Sequence, residues 1–574
     1  MNKSLIIVSI LSYLGFTQAF AQGTLSKEIT IDTDYEPQEV TATRLNNSAE
    51  LAQLKAESSS ALRFSNTSYP TALGNEVYVL PPYGFQTASP YRKNRGYIDF
   101  CMGAQMTIVG SAGYKILDTH RNYLEAWFQH DSYWNASNKN GFGVDLSYFK
   151  QKMTNEVVGI NYKHTFSPDL QFSANGKYHF GRQNYLDFSD INFGNVNEGN
   201  INLAVKGKTP SLDYNIALDY DHFGYSLTQG AWKDEYKPLR ENHLSLNADG
   251  KINWGEHSDV GLKFTGEYYN NFYTDKRDYS AREFRNSMGK LRFTPFYHCK
   301  TKRMLLHLGV NIDLSINDGT VFNISPDVKF DLMLHKYVWF YASLNGGRKV
   351  NTLSELYSQE QRMNPFSPIR SSYTPFDLFG GFKIGTFKGF SVDVYGGFLH
   401  TDNAPLPVTC VYDAEGIFTE QGRLQYQPID YTQVRVGGIL AYSYNDIVKA
   451  SVQIEGTRKA LIDKEETIIP EGKSKWEFHT KVAVDVKPIK PLTVGISFEY
   501  ASNRQAWSKL MYQDVYYRTN PRNIYDLCLH ARYEITDNFG IFLYANNLLN
   551  KRWAVNGNYS NHALGVLGGF TFKF

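Results

Sequence analysis

The chain has 574 residues, and 59 Lys and Arg against 57 Asp and Glu leave a formal net charge of +2, so charge does not point to a nucleic-acid partner. Aromatic residues form 15% of the chain, which is too many for a wholly disordered protein and typical of one rich in strands. After the N-terminus no apolar run approaches the ~20 residues of a membrane-spanning helix, and four cysteines are too few for a disulfide scaffold.

The N-terminus has the features of a secretory signal peptide in the usual order. Lys3 precedes the apolar run Leu5–Phe16, and Ala19-Phe20-Ala21 follows directly before Gln22. A positive charge, an apolar stretch and an A-x-A site in this order mark a cleaved export signal. Because the run is too short for a membrane anchor, we predict a signal peptide over residues 1–21 and export of the remainder.

From Gly96 to Phe574 the chain repeats segments of about ten residues in which apolar and polar side chains alternate, the period of a strand with two different faces. In one such segment the apolar face is Val494, Ile496, Phe498 and Tyr500, and the polar face is Thr493, Gly495, Ser497 and Glu499. The last segment has its apolar face on Leu564, Val566, Gly568, Phe570, Phe572 and Phe574. Alternation alone also fits a soluble β-sandwich, so the connections between the segments have to decide.

The connections alternate between short and long. Short turns such as Ser167–Asp169 and Thr536–Asn538 are followed by long polar stretches such as 182–197, 351–373 and 401–428. Short turns on one side and long loops on the other are typical of outer-membrane barrels, whereas a jelly roll or a propeller gives no reason for the alternation.

Counting back from the C-terminus gives about 22 strands, an even number as bacterial barrels require. Gly143–Lys150 also has a strand pattern, and we assign it to a loop so that the count stays even. The sequence therefore predicts an all-β protein, a transmembrane antiparallel β-barrel of about 22 strands over residues 96–574. Residues 22–95 form an N-terminal periplasmic or lumenal segment without a four-stranded pattern, so we expect no full plug domain.

A barrel of this size encloses a lumen wide enough to need filling. Residues 22–95 start beside the periplasmic opening and are long enough, when extended, to reach well into the lumen. We therefore expect at least part of this segment to be ordered inside or across that opening. Long loops that fold inward and a partner protein are the alternatives.

The end of the chain resembles a known family. Leu543–Trp553 and Leu567–Phe574 resemble the closing stretch of TonB-dependent receptor barrels, while Glu28–Pro37 and Asn94–Phe100 resemble short plug-less relatives in Bacteroidota outer membranes. The resemblance implies a barrel in the outer membrane of a Gram-negative bacterium, surrounded by outer-membrane lipid, that takes up a solute or nutrient. The missing plug is a departure that bears on energy-coupled import.

A short segment near the N-terminus resembles a TonB box. It comprises Glu39, Val40, Thr41, Ala42 and Thr43. Such a segment adds as an extended strand to the energy-transducing partner. The alternative is an ordinary linker. The expected protein partners are TonB, a lipoprotein or another outer-membrane protein.

The sequence indicates no enzyme. It has no G-x-S-x-G, H-E-x-x-H, Walker or dinucleotide-binding pattern, so we expect no catalytic residues, cofactor site or metal site. Aromatic residues among polar ones in the long loops are candidate ligand contacts, namely Trp134, Trp232, Tyr412 and Trp507. Residues of this kind near strand ends equally suit an interfacial belt at the level of the lipid headgroups.

Two other functions stay open at this point. One is a non-transporting structural subunit of an outer-membrane assembly or secretion complex. The other is an enzyme with a site at the outer rim, which separate strands would assemble and which the sequence neither shows nor excludes. The uptake barrel is favoured.

Overall fold

The computed structural model describes residues 94–574 except 138–149, 188–189, 230–237, 276–281, 368, 388, 415–416, 446, 463–474, 511–514, 557–558 and 562. The predicted signal peptide, the segment 22–95 up to residue 93, the TonB-box-like residues 39–43 and most of 143–150 lie outside the described residues.

The described part of the chain is almost entirely strand. The strands are β1 (Gly96–Gly103), β2 (Thr107–Asp118), β3 (Asn122–Ser137), β4 (Lys150–Ser167), β5 (Leu170–Asp187), β6 (Asp190–Lys208), β7 (Leu212–Gln229), β8 (Leu239–Asn253), β9 (Ser258–Asp275), β10 (Arg282–Lys300), β11 (Met304–Ile316), β12 (Phe322–His335), β13 (Val338–Lys349), β14 (Ser372–Phe387), β15 (Phe390–Ala414), β16 (Ile417–Tyr444), β17 (Val448–Leu461), β18 (Glu477–Ile489), β19 (Leu492–Ser502), β20 (Ala506–Leu510), β21 (Val515–Thr519), β22 (Ile524–Glu534), β23 (Phe539–Asn546), β24 (Ala554–Asn556), β25 (Tyr559–Ser560) and β26 (Gly565–Lys573).

The helical residues in the described ranges are a 3-10 turn, Ala104–Met106, and one α-helix, α1 (Leu353–Gln359). Among the residues that the structure describes, no helix has the length and apolar character needed to cross a membrane.

Twenty-two of the strands form a closed antiparallel barrel. β1 to β19 pair in chain order, β22, β23 and β26 follow, and β26 pairs back onto β1 with Phe570 opposite Phe100. The predicted count of about 22 strands is confirmed, and the predicted segment Thr493–Tyr500 lies within β19. Alternation detects wall strands well because their two faces meet opposite environments along the whole membrane-spanning length.

The two faces of the wall have the predicted orientation. Ile496, Val566, Phe570 and Phe572 are 37–45% exposed on the outside, where lipid covers them in a membrane. Gly495 lies on the other face, next to Asp485 and His530, whose Oδ1 and Nε2 atoms are 3.0 Å apart.

Several stretches predicted as loops are strands instead. β5 and β6 continue to Asp187 and from Asp190, so most of 182–197 is a hairpin, and β15 and β16 have 25 and 28 residues and span most of 401–428. Beyond the membrane both faces of a hairpin can be polar, so the period-two signal disappears while the backbone pairing continues. β20 extends this hairpin by pairing in parallel with β15, with Trp507 opposite Val408.

The face assignment can be tested with neighbouring substitutions. Ile496→Arg should lower the free energy of unfolding by about 2–4 kcal/mol, because it places a charge in the hydrocarbon layer. Ser497→Arg, one residue further and facing the lumen, should cost far less. Denaturant unfolding in lipid vesicles measures both, and equal losses would show that the assignment is wrong.

Candidate functional site

The lumen wall carries charged side chains that join neighbouring strands. His243 on β8 lies between Asp221 on β7 (Nδ1–Oδ2, 3.6 Å) and Glu267 on β9 (Nε2–Oε2, 3.8 Å). Lys290 on β10 contacts the same Glu267 (Nζ–Oε1, 2.8 Å). Acidic and basic side chains alternate from strand to strand in this part of the wall. Their charges are therefore paired, and the surface has no large excess of positive or negative charge.

The connection between β13 and β14, residues 350–371, folds back into the lumen, and we call it the inner loop. It lies on the side of the long connections, which faces the exterior in outer-membrane barrels. Its buried side chains contact inward-facing residues of the wall. The wide lumen is therefore occupied near its outer mouth by the chain's own loop.

α1 forms at the start of the inner loop because Thr352 caps its N-terminus. The Thr352 hydroxyl accepts a hydrogen bond from the Glu355 backbone N–H (3.1 Å), in the pattern Thr-x-x-Glu. The Glu355 carboxylate in the first turn also favours the helix electrostatically. Leu353, Leu356 and Tyr357 recur three and four residues apart, so they share one face, and all three are buried.

This apolar face packs on an apolar patch of the lumen wall, which we call the wall patch. The wall patch consists of Tyr185, Val196, Phe223, Tyr225, Leu227, Leu239 and Tyr426. The Phe223 and Tyr357 ring centroids are 5.6 Å apart, and Phe366 lies 6.2 Å from Tyr225 and 4.9 Å from Tyr273. Burial raises the pKa of Tyr357 well above its ordinary value, which is the direction expected for a hydroxyl in an apolar contact.

A buried carboxylate holds the start of the helix. Glu241 on β8 is 1% exposed, and its two oxygens accept hydrogen bonds from the backbone N–H groups of Leu353 (2.6 Å) and Ser354 (3.1 Å). The Tyr269 hydroxyl donates a third bond to it (2.7 Å). The carboxylate thus satisfies helix N–H groups that have no partner within the helix, at the end where the helix dipole favours negative charge.

The middle of the inner loop is fixed to other strands. Arg362 Nη2 donates to the Tyr133 hydroxyl on β3 (3.1 Å) and to Gln151 Oε1 on β4 (2.9 Å). The Asn364 backbone N–H donates to the Leu424 carbonyl on β16 (2.6 Å). Because the inner loop starts from β13 and its middle is bonded to β3 and β4, nine to ten strands away in the wall, it crosses the lumen.

Two polar clefts flank the inner loop. The outer cleft has a volume of about 570 Å³, and its lining includes Asn286, Asn317, Arg348, Arg370, Tyr373 and Asn403. The inner cleft has about 430 Å³ between α1 and the wall, and its lining includes Lys177, Glu198, Asp221, His243, Glu267 and Glu355. Amides, hydroxyls, two guanidiniums and the carboxylates of Asp318 and Asp402 in the outer cleft suit a hydrophilic ligand, which would meet the inner loop before it could pass.

The candidate ligand aromatics have different surroundings. Trp134 lies near the outer end of β3 and is 54% exposed, whereas Trp507 is 5% exposed and packs in an apolar cluster with Leu406, Val408 and Cys410. Tyr412 lies in β15, where only the backbone is described, and Trp232 lies outside the described residues. Ligand contact by these side chains stays a prediction.

Within the described residues no three His, Cys, Asp or Glu side chains are grouped so that they could hold a metal ion. All four cysteines are free thiols.

Sequence reasoning missed the inner loop, although two signals were present. Thr352–Glu355 is a capping-box sequence inside the predicted long stretch 351–373, and apolar residues follow it at helical spacing. In β7 the inward face changes from Asp221 to Phe223 and Tyr225, which breaks the polar pattern of the lumen wall. An apolar group on an inward face indicates that something covers it.

No protein-family model matches the sequence, and no curated protein matches it either. Solved structures do match the fold. The siderophore receptor PirA from Pseudomonas aeruginosa has a TM-score of 0.59 at 10% identity, over 85% of this chain and 82% of that one. The copper transporter OprC has a TM-score of 0.61 at 11% identity, over 84% and 80%.

A mutant of the ferric enterobactin receptor PfeA from Pseudomonas aeruginosa, in complex with enterobactin, matches with a TM-score of 0.61 at 11% identity, over 85% of this chain and 82% of that one. The chain shares its barrel fold with these proteins. At this level of identity the likeness concerns the fold alone.

The packing of the inner loop predicts the effect of a cavity. Leu356→Ala should weaken docking of the loop by about 2–5 kcal/mol, because it removes buried side-chain volume that the rigid wall cannot refill. Ser358→Ala, on the exposed side of the same helix, is the matched control and should leave docking unchanged. Amide hydrogen exchange of residues 353–359 in the folded barrel measures both. Unchanged exchange in Leu356→Ala would contradict the docking described here.

Proposed function

We propose that the chain is an outer-membrane barrel that takes up a solute or nutrient in a Gram-negative bacterium. The observation that carries the proposal is a 22-strand barrel whose outer mouth is occupied by its own inner loop, with a polar cleft on the outer side. An inner loop that fills part of the lumen narrows the passage, whereas an open channel suffices for unselective diffusion. The narrowed lumen suits selective passage that begins with binding at the outer side.

The surface of the barrel and the predicted signal peptide support this location. Every wall strand is paired on both sides and the outer face is apolar, as a hydrocarbon environment requires. The predicted signal peptide exports the chain. Outer-membrane lipid is therefore its expected surroundings.

The fold likeness supports uptake over other functions. The proteins of similar fold are named as a siderophore receptor, a copper transporter and a ferric enterobactin receptor. We assign the chain no enzymatic role on this basis. Membership of the plug-less Bacteroidota type stays part of the proposal, because it rests on the sequence resemblance of Glu28–Pro37 and Asn94–Phe100.

A structural, non-transporting subunit is the second candidate. The inner loop favours this candidate because hydrogen bonds to the wall hold it inside the lumen. A structural subunit needs no conducting state, so such a fixed loop would not hinder it. The two candidates differ in whether the barrel engages an energy source, and the segment Glu39–Thr43 is where that engagement is expected.

Energy coupling can be tested through that segment. Thr41→Pro should abolish binding to the purified periplasmic domain of TonB from the same bacterium, because proline removes a backbone N–H and prevents strand addition. Ser59→Pro, outside the TonB-box-like residues, is the control and should bind like the parent chain. Binding that survives Thr41→Pro, or a parent chain that never binds, would favour the structural subunit.

The contribution of the N-terminal segment to closure can be measured separately. Deletion of residues 23–90 should raise single-channel conductance in planar bilayers and sensitivity of cells to large antibiotics, because part of the material expected in the lumen is lost. Replacing residues 353–366 by a short Gly-Ser linker tests the inner loop in the same assay. If only the second change opens the barrel, the inner loop closes it and residues 22–95 do not.

A further inference from the structure

The outer face of β3 to β5 changes character toward its outer end. Phe128, Val158 and Tyr178 lie in one row across these three strands, and all three are exposed on the outside. The Tyr178 hydroxyl donates to Asn197 Oδ1 on β6 (2.9 Å). An outward aromatic ring with its hydroxyl bonded to a polar residue is typical of the boundary between hydrocarbon and headgroups, so this row marks the edge of the apolar band.

Two cations lie beyond that edge on the same face. Arg182 follows Tyr178 by four residues on β5, about 13 Å along the strand at ~3.3 Å per residue. Lys152 on β4 is directly opposite Trp134 on β3, and it lies diagonally from Arg182, which is opposite Thr154. Diagonal neighbours of this kind are within reach of one another's long side chains. Both cations are exposed.

Aromatic rings accompany the two cations. The Arg182 guanidinium lies 5.1 Å from the ring centroid of Phe193 on β6, and Trp134 is half exposed beside Lys152. We call Trp134, Lys152, Arg182 and Phe193 the rim patch. Its inward-facing neighbours Gln151 and Gln183 bond to the inner loop, which confirms that the rim patch faces away from the lumen.

The rim patch has an excess of positive charge. Among the described residues neither Lys152 nor Arg182 forms an ion pair. The carboxylate on the outer face below them, Glu156, contacts His130 instead (2.8 Å). Cations at headgroup height attract anionic headgroups, and a guanidinium binds phosphate oxygens through two parallel hydrogen bonds. The aromatic rings add apolar surface suited to sugar faces and to the upper part of acyl chains.

We propose that the rim patch is a binding site for a phosphorylated glycolipid of the outer leaflet. Lys152 and Arg182 bind its phosphates, and Trp134 and Phe193 contact its sugar and upper acyl groups. The proposal rests on the outer-membrane location proposed above. It also gives Trp134 a role in lipid contact, the alternative considered for the aromatic residues near strand ends.

Native mass spectrometry of the full barrel, titrated with lipid A that carries both phosphates, tests the proposal. The double variant Lys152→Glu with Arg182→Glu should bind at least about tenfold more weakly, because two attractive charges become repulsive. The matched control is Lys302→Glu with Arg303→Glu, which reverses one lysine and one arginine in the exposed turn between β10 and β11 at the opposite end of the barrel. This control should bind like the parent chain.

Two further arms keep the result decisive if the double variant does not fold, as judged by heat-modifiable gel mobility. The parent chain should bind dephosphorylated lipid A and phosphatidylglycerol clearly less than lipid A with both phosphates. Equal binding of all three lipids, or a folded double variant that binds like the parent, overturns the proposal. Recovery of the parent chain in the inner-membrane fraction would instead overturn the outer-membrane location, which separates the two failures.

Discussion

A strand in a hydrocarbon layer finds no water for its backbone N–H and C=O groups, so each strand of the wall has to be paired on both sides. The seam between β1 and β26 meets this constraint: Gly96 and Phe574 exchange backbone hydrogen bonds of 2.7 and 3.0 Å, and the two strands stay paired along their length. Closure then imposes two environments on every wall strand. Apolar residues such as Ile496 face outward, and polar residues such as Asp485 and His530 face the lumen.

The same closure creates the wide lumen that the inner loop occupies. A wholly polar wall would offer the loop no apolar surface to bury, so the loop would gain little free energy by docking on it. The wall patch around Phe223 and Tyr225 supplies an apolar surface, and Glu241 supplies the partner for the helix N–H groups. Apolar burial provides most of the attraction, while the buried carboxylate selects one position for the helix, since an unpaired carboxylate there would be costly.

The wall could be predicted from the sequence because its signal is local. In a strand such as Thr493–Tyr500, the polarity of each residue indicates whether its side chain faces lipid or the lumen. The hairpins above the membrane lose that signal, which is why 401–428 looked like a loop. The inner loop depends on contacts between residues far apart in the chain, such as Glu241 with Leu353, 112 residues on. The alternation of residues along one strand carries no information on such a contact. The only local indications were the capping-box sequence Thr352–Glu355 and the inward-facing Phe223.

The inner loop is held at several distant points at once, and this has a consequence for how it would leave the lumen. If the loop leaves the wall, the patch around Phe223 is exposed and Glu241 loses its two backbone N–H partners, while Arg362 loses Tyr133 and Gln151 in the same movement. Contacts made by one short segment break together. A partly released loop would therefore gain little conformational entropy while it loses nearly all of its contact energy. Currents through such a barrel would switch in discrete steps between two levels, without a continuum of intermediate openings.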